Sequence, residues 1–199
     1  MRPKPFAAAC ERNRVPILET LRAEFAGVSR VLEIGSGTGQ HAAWFAPRLP
    51  ELRWVASDVA EQLRGIAAWL EDSGADNLEG PVALDVTRRP WPDLGPVDAA
   101  FSANTAHIMP TDAVEAMFRG LGELLPPAAP FCLYGPFNVD GQYTGEGNRV
   151  FDCSLRAMDP AMGLRDLVWL QDLARDAGFL LEKVHRMPAD NRILLWRRT

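Results

Sequence analysis

The spacing of apolar residues changes repeatedly along the chain, from the continuous runs of buried strands to the 3.6-residue recurrence of helices. Ile17, Leu18, Leu21 and Phe25 fall on one helical face, so a helix is expected from about Val15 to Phe25. The first ten residues read as a loose arm, and Pro16 fits only the first helical turn. Asn13 reads either as the N-cap of that helix or, with Arg12, as part of a lid over a ligand. A first strand follows at Arg30–Ile34, then a glycine-rich turn and a helix from Gln40 that stops near Pro47. Second, third and fourth strands are expected at Leu52–Asp58, Val82–Val86 and Val97–Asn104. Between the second and third, Leu63, Ile66, Ala67 and Leu70 mark a helix ended by Gly74.

Farther on, Thr111 is placed to cap a helix whose Val114, Met117, Phe118, Leu121, Leu124 and Leu125 form an apolar stripe, which is core. Phe131–Pro136 reads as a fifth strand. The polar, glycine-rich stretch Phe137–Asn148 is a long connection of the kind that is functional or disordered in compact domains. Phe151–Met158 suggests a short helix, and Asp166 caps another over Leu167–Ala177 that ends at Gly178. Leu180–Met187 and Ile193–Arg198 read as an antiparallel pair turning near Asp190-Asn191. Alternating strands and helices followed by a terminal hairpin give an α/β architecture. One domain over 1–199 is expected, with an N-terminal arm and helix over 1–28 and a lid or acceptor loop over 136–163.

The chain has 199 residues, enough for one sizeable core. Its net charge of −5, without a long basic run, argues against broad binding to nucleic acid or an anionic membrane. Three cysteines, Cys10, Cys132 and Cys153, show no metal spacing, so no metal site is expected. Their odd number excludes a full disulfide set and points to a reducing cytoplasm. No apolar stretch is long enough to span a bilayer. Arg2 and Lys4 before Phe6–Cys10 faintly resemble a lipoprotein signal, but the apolar part is too short and follows Pro5.

The chemistry concentrates at Val31-Leu32-Glu33-Ile34-Gly35-Ser36-Gly37-Thr38-Gly39. A strand, a glycine turn and a helix start form a nucleotide-type site, where a ligand can approach the backbone. The dinucleotide pattern counted from Gly35 places Gln40 where Gly or Ala belongs; counted from Gly37 it reaches Ala42 and survives. Glu33 would repel a pyrophosphate and attract a sulfonium or ammonium group. Asp58 lies about twenty residues beyond the loop, where α/β nucleotide folds place an acid on ribose hydroxyls; it can equally cap the next helix.

Glu33-x-Gly35-x-Gly37-x-Gly39 resembles motif I of the class I S-adenosylmethionine (SAM) methyltransferases. Glu11-Arg12-Asn13, Val31–His41, Ser102-Ala103-Asn104, Tyr134–Asn138 and Gly141–Thr144 together resemble one uncharacterised, methyltransferase-like family of unknown function with bacterial and animal members. The resemblance covers nearly the whole chain. It implies a Rossmann-like class I methyltransferase sandwich, with a seven-stranded, mostly parallel sheet and a C-terminal antiparallel hairpin. It also implies SAM as cofactor, with S-adenosylhomocysteine (SAH) as product. Glu33, Gly35, Ser36, Gly37, Gly39, His41, Asp58, Ser102, Ala103, Asn104, Arg12 and Asn13 are the expected cofactor residues. Asp85 is implied to accept from the adenine amino group and Val86 to meet the ring; the other reading of Asp85 is turn capping.

A sulfonium methyl is already activated, so the protein mainly positions the acceptor and excludes water. An oxygen acceptor also wants a base. His107, after the fourth strand, is the candidate, with an unperturbed pKa suited to proton transfer near neutrality. The alternative is a packed or loop-capping histidine. Tyr134 is a second catalytic candidate, and Phe137, Asn138 and Tyr143 are candidates for the acceptor pocket. His41, in the first helical turn, lines the glycine loop or packs; His185 reads as a surface strand residue. Asn104-Thr105-Ala106-His107 lacks the (Asn/Asp)-Pro-Pro-(Tyr/Phe) pattern of base-methylating enzymes, so a small-molecule acceptor is expected over nucleic acid. Two other readings stay open: a SAM-binding or interaction protein without transfer activity, and a nicotinamide-dependent oxidoreductase, against which Glu33 and the absence of a Tyr-x-x-x-Lys pair both count.

Overall fold

Residues that read as continuous apolar runs form the centre of a parallel sheet, since strands covered on both faces need apolar side chains on both. The computed structural model describes residues 4–199 and divides into two compact units, Met1–Ser102 and Ala103–Thr199. In the first unit, β1 (Arg30–Ile34), β2 (Arg53–Asp58), β3 (Leu78–Ala83) and β4 (Ala99–Ala103) run in the order β3-β2-β1-β4. The pairs are parallel, with Val31 opposite both Trp54 and Ala99. Helices α1 (Ala8–Glu24), α2 (Gln40–Phe45) and α3 (Leu63–Ser73) complete the unit. Val31, Leu32, Trp54, Ala56, Phe101 and Phe45 are wholly buried.

Three expectations change here. The first helix begins at Ala8, so Asn13 lies in its interior rather than at its cap, and Pro16 sits mid-helix rather than in the first turn. Burial of Ile17, Leu18 and Leu21 outweighs the backbone hydrogen bond that proline forgoes. Residues 4–7 of the supposed loose arm are fastened. The Pro5 carbonyl accepts from the Trp69 indole at 2.7 Å, Lys4 pairs with Asp72, and the Ala7 amide donates to Gln40 Oε1 at 2.6 Å. Residues 1–3 lie outside the described residues. The third strand covers Leu78–Ala83, not Val82–Val86. A register shift opposite Val55–Ser57 accommodates Gly80-Pro81, and Glu79 holds Arg30 and Arg53 across the strands.

In the second unit, β5 (Pro130–Asn138), β8 (Asn191–Arg198) and β7 (Phe179–Arg186) are antiparallel neighbours in that order. The two-residue β6 (Arg165–Asp166) lies parallel to the end of β5. Among the described residues it is the one strand beyond the seven expected. Helix α4 (Thr111–Leu124) has Pro110 as N-cap, with Thr111 as its first residue rather than its cap. Helix α5 (Glu146–Met158) begins five residues earlier than expected and takes in the last three residues of the expected Phe137–Asn148 connection; α6 (Leu167–Asp176) is capped by Asp166, whose Oδ1 accepts from the Val168 amide at 2.8 Å. A parallel sheet with C-terminal antiparallel strands is the Rossmann-like α/β class. Among the described residues, no helix is long and apolar enough to cross a membrane.

Candidate active site

The glycine loop takes its shape from polar groups that the parallel strands deliver to one edge. Gly35, Gly37 and Gly39 have φ of 72°, 58° and 86°. Two of them need glycine for different reasons. A Cβ on Gly39 would stand 2.9 Å from the Ile66 Cα, so helix α3 can pack against the loop only if that Cβ is missing. At Gly37, among the described residues other than its two chain neighbours, no heavy atom lies within 4 Å of where a Cβ would stand, which leaves its exposed backbone open to a ligand. The Gly37 amide donates to Asp58 Oδ2 at 2.7 Å, and the Val59 amide donates to Asp58 Oδ1 at 2.7 Å. The end of β2 therefore holds the loop. Burial raises the Asp58 pKa, and these two amide bonds oppose that rise.

Glu33 lies beneath the loop, 1 % exposed. Its Oε2 accepts from Ser36 Oγ at 2.8 Å and from the Trp54 indole at 3.0 Å. Loss of water pushes its pKa up to about 7, against the pull of those two donors. Ser36 also receives the Ser57 amide, and Ser57 Oγ donates to the Glu33 carbonyl at 2.6 Å. Ser102 Oγ donates to the Ile34 carbonyl at 2.8 Å, tying β4 to the start of the turn. His41 is buried with its ring stacked on Phe45, and Nε2 lies 2.8 Å from Asn13 Oδ1. The buried pair holds α1 to α2, while Arg12 is exposed. Burial, with Arg14, lowers the His41 pKa to about 4.

Asp85 stands in the turn after β3. Its Oδ1 accepts from the amide and hydroxyl of Thr87, the bonds that lower its pKa first, and Oδ2 pairs with Arg88. This is the turn-capping arrangement; Val86 beside it is buried. Among the described residues, no group of three His, Cys, Asp or Glu could hold a metal ion.

The second unit carries the remaining candidates. Ala103 ends the strand. Asn104 has φ 60°, a left-handed conformation that asparagine tolerates, and its amide donates to the Tyr134 carbonyl at 2.9 Å. Tyr134 and Phe137 are buried within β5; Asn138 ends that strand with its Oδ1 buried and, among the described residues, without a hydrogen-bond partner. Tyr143 is exposed, and its hydroxyl donates to Asp152 Oδ2 at 2.8 Å. His107 is 4 % exposed, in a turn where the Thr105 carbonyl accepts the amides of Ile108 and Met109. Phe151 meets its ring edge-on at 5.2 Å. The expectation of an unperturbed imidazole fails. Burial first, and then the Arg165 charge, lower its pKa to about 4, so it is neutral at pH 7.

Arg165, Gly163 and Asp152 were not singled out from the sequence. The Gly163 amide donates to the His107 carbonyl at 2.9 Å, and the Arg165 guanidinium donates to the carbonyls of Ala106 (3.0 Å), Ala161 (2.8 Å) and Met109. Asp152, 2 % exposed, accepts from the Leu164 amide, Arg156 and Tyr143. A lone arginine ahead of a capped helix gives no sign in sequence that two of its carbonyl partners, Ala106 and Met109, lie more than fifty residues upstream.

Among solved structures, the chain resembles the O-methyltransferase family 2 protein from Planctomyces limnophilus DSM 3776 in complex with apigenin. The TM-score is 0.81 at 18 % identity, over 96 % of this chain and 59 % of that one. The S-adenosylmethionine-dependent methyltransferase SibL in its apo form gives 0.80 and 19 %, over 96 % and 56 %. PigF with SAH gives 0.77 and 15 %, over 92 % and 55 %. The chain spans little more than half the length of these proteins, and at such identity the likeness shows a shared fold. A family model described as "Protein of unknown function (DUF938)" matches residues 4–198, and the chain belongs to that family.

Proposed function

We propose that this protein is a SAM-dependent methyltransferase acting on a hydroxyl group of a small molecule. The observation that carries the proposal is the open Gly37 backbone, held by Asp58 and underlain by the buried Glu33. This donor set suits a cationic, ribose-bearing ligand better than a pyrophosphate, because both acids would repel phosphate oxygens. SAM supplies an activated methyl group when bound. Asp58 has lone pairs left to accept ribose hydroxyls, and Glu33, in its ionised form, provides negative charge beneath the loop. Ser36 and Ser102 keep the turn in shape from below. On the same reading, Asp85 and Val86 meet the adenine, with Asp85 keeping its turn bonds.

Several solved structures of the same fold are O-methyltransferases by name, which favours an oxygen acceptor. An oxygen acceptor releases a proton, and a neutral His107 imidazole can take it. Tyr134, Asn138 and Tyr143 shape the acceptor side in this reading; the unpaired Asn138 Oδ1 is available to an acceptor hydroxyl. A second reading, SAM binding without transfer, is favoured by the exposed Val150, Phe151 and Met158 of α5, a surface suited to a partner.

Calorimetric titration with SAM, SAH and NADH, followed by tritiated-methyl transfer from SAM to a panel of small phenols and alcohols, tests both readings. Saturable SAM and SAH binding, silence with NADH and a methylated product are expected. Binding without turnover across the panel would favour the second reading, and no binding of either SAM ligand would overturn both.

A further inference from the structure

We propose that Arg165 is a positioning residue for His107, fixing the turn that presents the imidazole. The proposal deepens the methyltransferase reading and rests on it for its catalytic part. Three of the five guanidinium N–H groups are used on main-chain carbonyls, at Ala106, Met109 and Ala161. Two of these carbonyls bracket His107, on the residue before it and two residues after it. The Gly163 amide takes the carbonyl of His107 itself. The backbone on both sides of the imidazole is thus tied to one short segment, 163–165, next to the end of β5.

That segment is secured in turn. The Leu164 amide donates to Asp152 Oδ1 at 2.6 Å, and the other oxygen of Asp152 takes Tyr143 and Arg156. Asp152 belongs to α5, the helix that also brings Phe151 to the edge of the imidazole. One turn of α5 therefore sets both the ring's apolar neighbour and the segment that carries its clamp. Arg165 is itself buried, and among the described residues no carboxylate forms an ion pair with it. The nearby Asp152 carboxylate and Arg156 guanidinium act on it in opposite senses, while its hydrogen bonds go to main-chain carbonyls; this is a costly arrangement for a buried charge, and a role in holding the turn accounts for it. Lysine could not do the same work, because a point ammonium cannot hold three carbonyls in the plane of a fork.

The test is a proton NMR titration of the histidine ring signals in the wild type, Arg165→Lys and Arg165→Met, with methyl transfer measured in parallel. The chain has three histidines, and His41 serves as an internal reference because its lowered pKa arises from burial and Arg14. In Arg165→Met the His107 midpoint is expected to rise measurably from about 4 while burial keeps it below the ordinary imidazole value, with His41 unmoved. In Arg165→Lys the charge remains. There the midpoint should stay low while transfer falls at least tenfold, with SAM affinity within twofold of wild type. An unmoved His107 midpoint in a folded Arg165→Met, or wild-type turnover in Arg165→Lys, would overturn the proposal. If the wild type transfers no methyl group, the methyltransferase reading fails by itself, and the titration still decides whether Arg165 governs His107.

Discussion

Replacing Glu33 with glutamine isolates the electrostatics beneath the glycine loop. The glutamine carbonyl can keep both hydrogen bonds, from Ser36 and Trp54, so packing is conserved while the ionisation is removed. The wild-type carboxyl goes from an ordinary value near 4.5 to about 7 on folding. Because the folded value is the higher one, its contribution to stability is fully present below about pH 4.5 and is lost as pH rises through 7. At about 1.4 kcal/mol per pH unit, roughly 2–3 kcal/mol disappears between pH 5 and pH 8. The total stability curve hides this, because His41 and His107, both lowered to about 4, add stability over part of the same range as pH rises. The difference between variant and wild type does not hide it. Urea unfolding at pH 5, 6, 7 and 8 should show Glu33→Gln gaining about 2–3 kcal/mol on wild type across that range. A difference that stays constant with pH would mean that Glu33 titrates normally and that the burial argument is wrong. Ligand binding gives a second readout of the same group. If a sulfonium or ammonium group needs the ionised form, wild-type SAM affinity should rise about tenfold from pH 6 to pH 8, and Glu33→Gln should show weak, pH-independent binding.

Asp58→Ala should weaken SAM binding at least tenfold, about 1.4 kcal/mol by calorimetry; unchanged affinity in a folded variant would remove Asp58 from the site. His107→Ala should slow methyl transfer at least tenfold with SAM affinity within twofold, whereas a large affinity loss would recast His107 as a cofactor residue. Gly39→Ala places a Cβ 2.9 Å from the Ile66 backbone at φ 86° and should cost more than about 1 kcal/mol of unfolding stability, read as a lower urea midpoint; Gly37→Ala shares the φ penalty without the contact, so equal losses would show that the Ile66 contact is immaterial.

What could be read from the chain divides by the distance over which each residue's environment is set. The first strand, its glycine turn and the following helix were legible because the apolar run, the glycines and the helix start are contiguous, and each constrains the next. The C-terminal hairpin was legible for the same reason, with two strand patterns bounding its turn, which lies over 187–190, just ahead of the expected Asp190-Asn191. Asn13 and Pro16 misled, because local rules place them at a helix start, while His41 and the buried face of α1 place them inside one. The third strand was read too late because Gly80-Pro81 argues against a strand locally; only the bulged register with β2 and the Arg30–Glu79 and Arg53–Glu79 pairs make it one. His107 is legible as a candidate from its place after a strand, but its lowered pKa is not, because the causes are burial first and then the charge of Arg165, fifty-eight positions away and silent as a motif. The same division bears on the chemistry. The cofactor side of the proposed reaction is written mostly in neighbouring residues, whereas the burial of His107 and, in the proposal, its orientation depend on groups that only the fold assembles, Arg165, Gly163 and Asp152 among them. Substitutions that spare every motif can therefore still alter the proton-accepting step, and Arg165→Lys is the smallest of them.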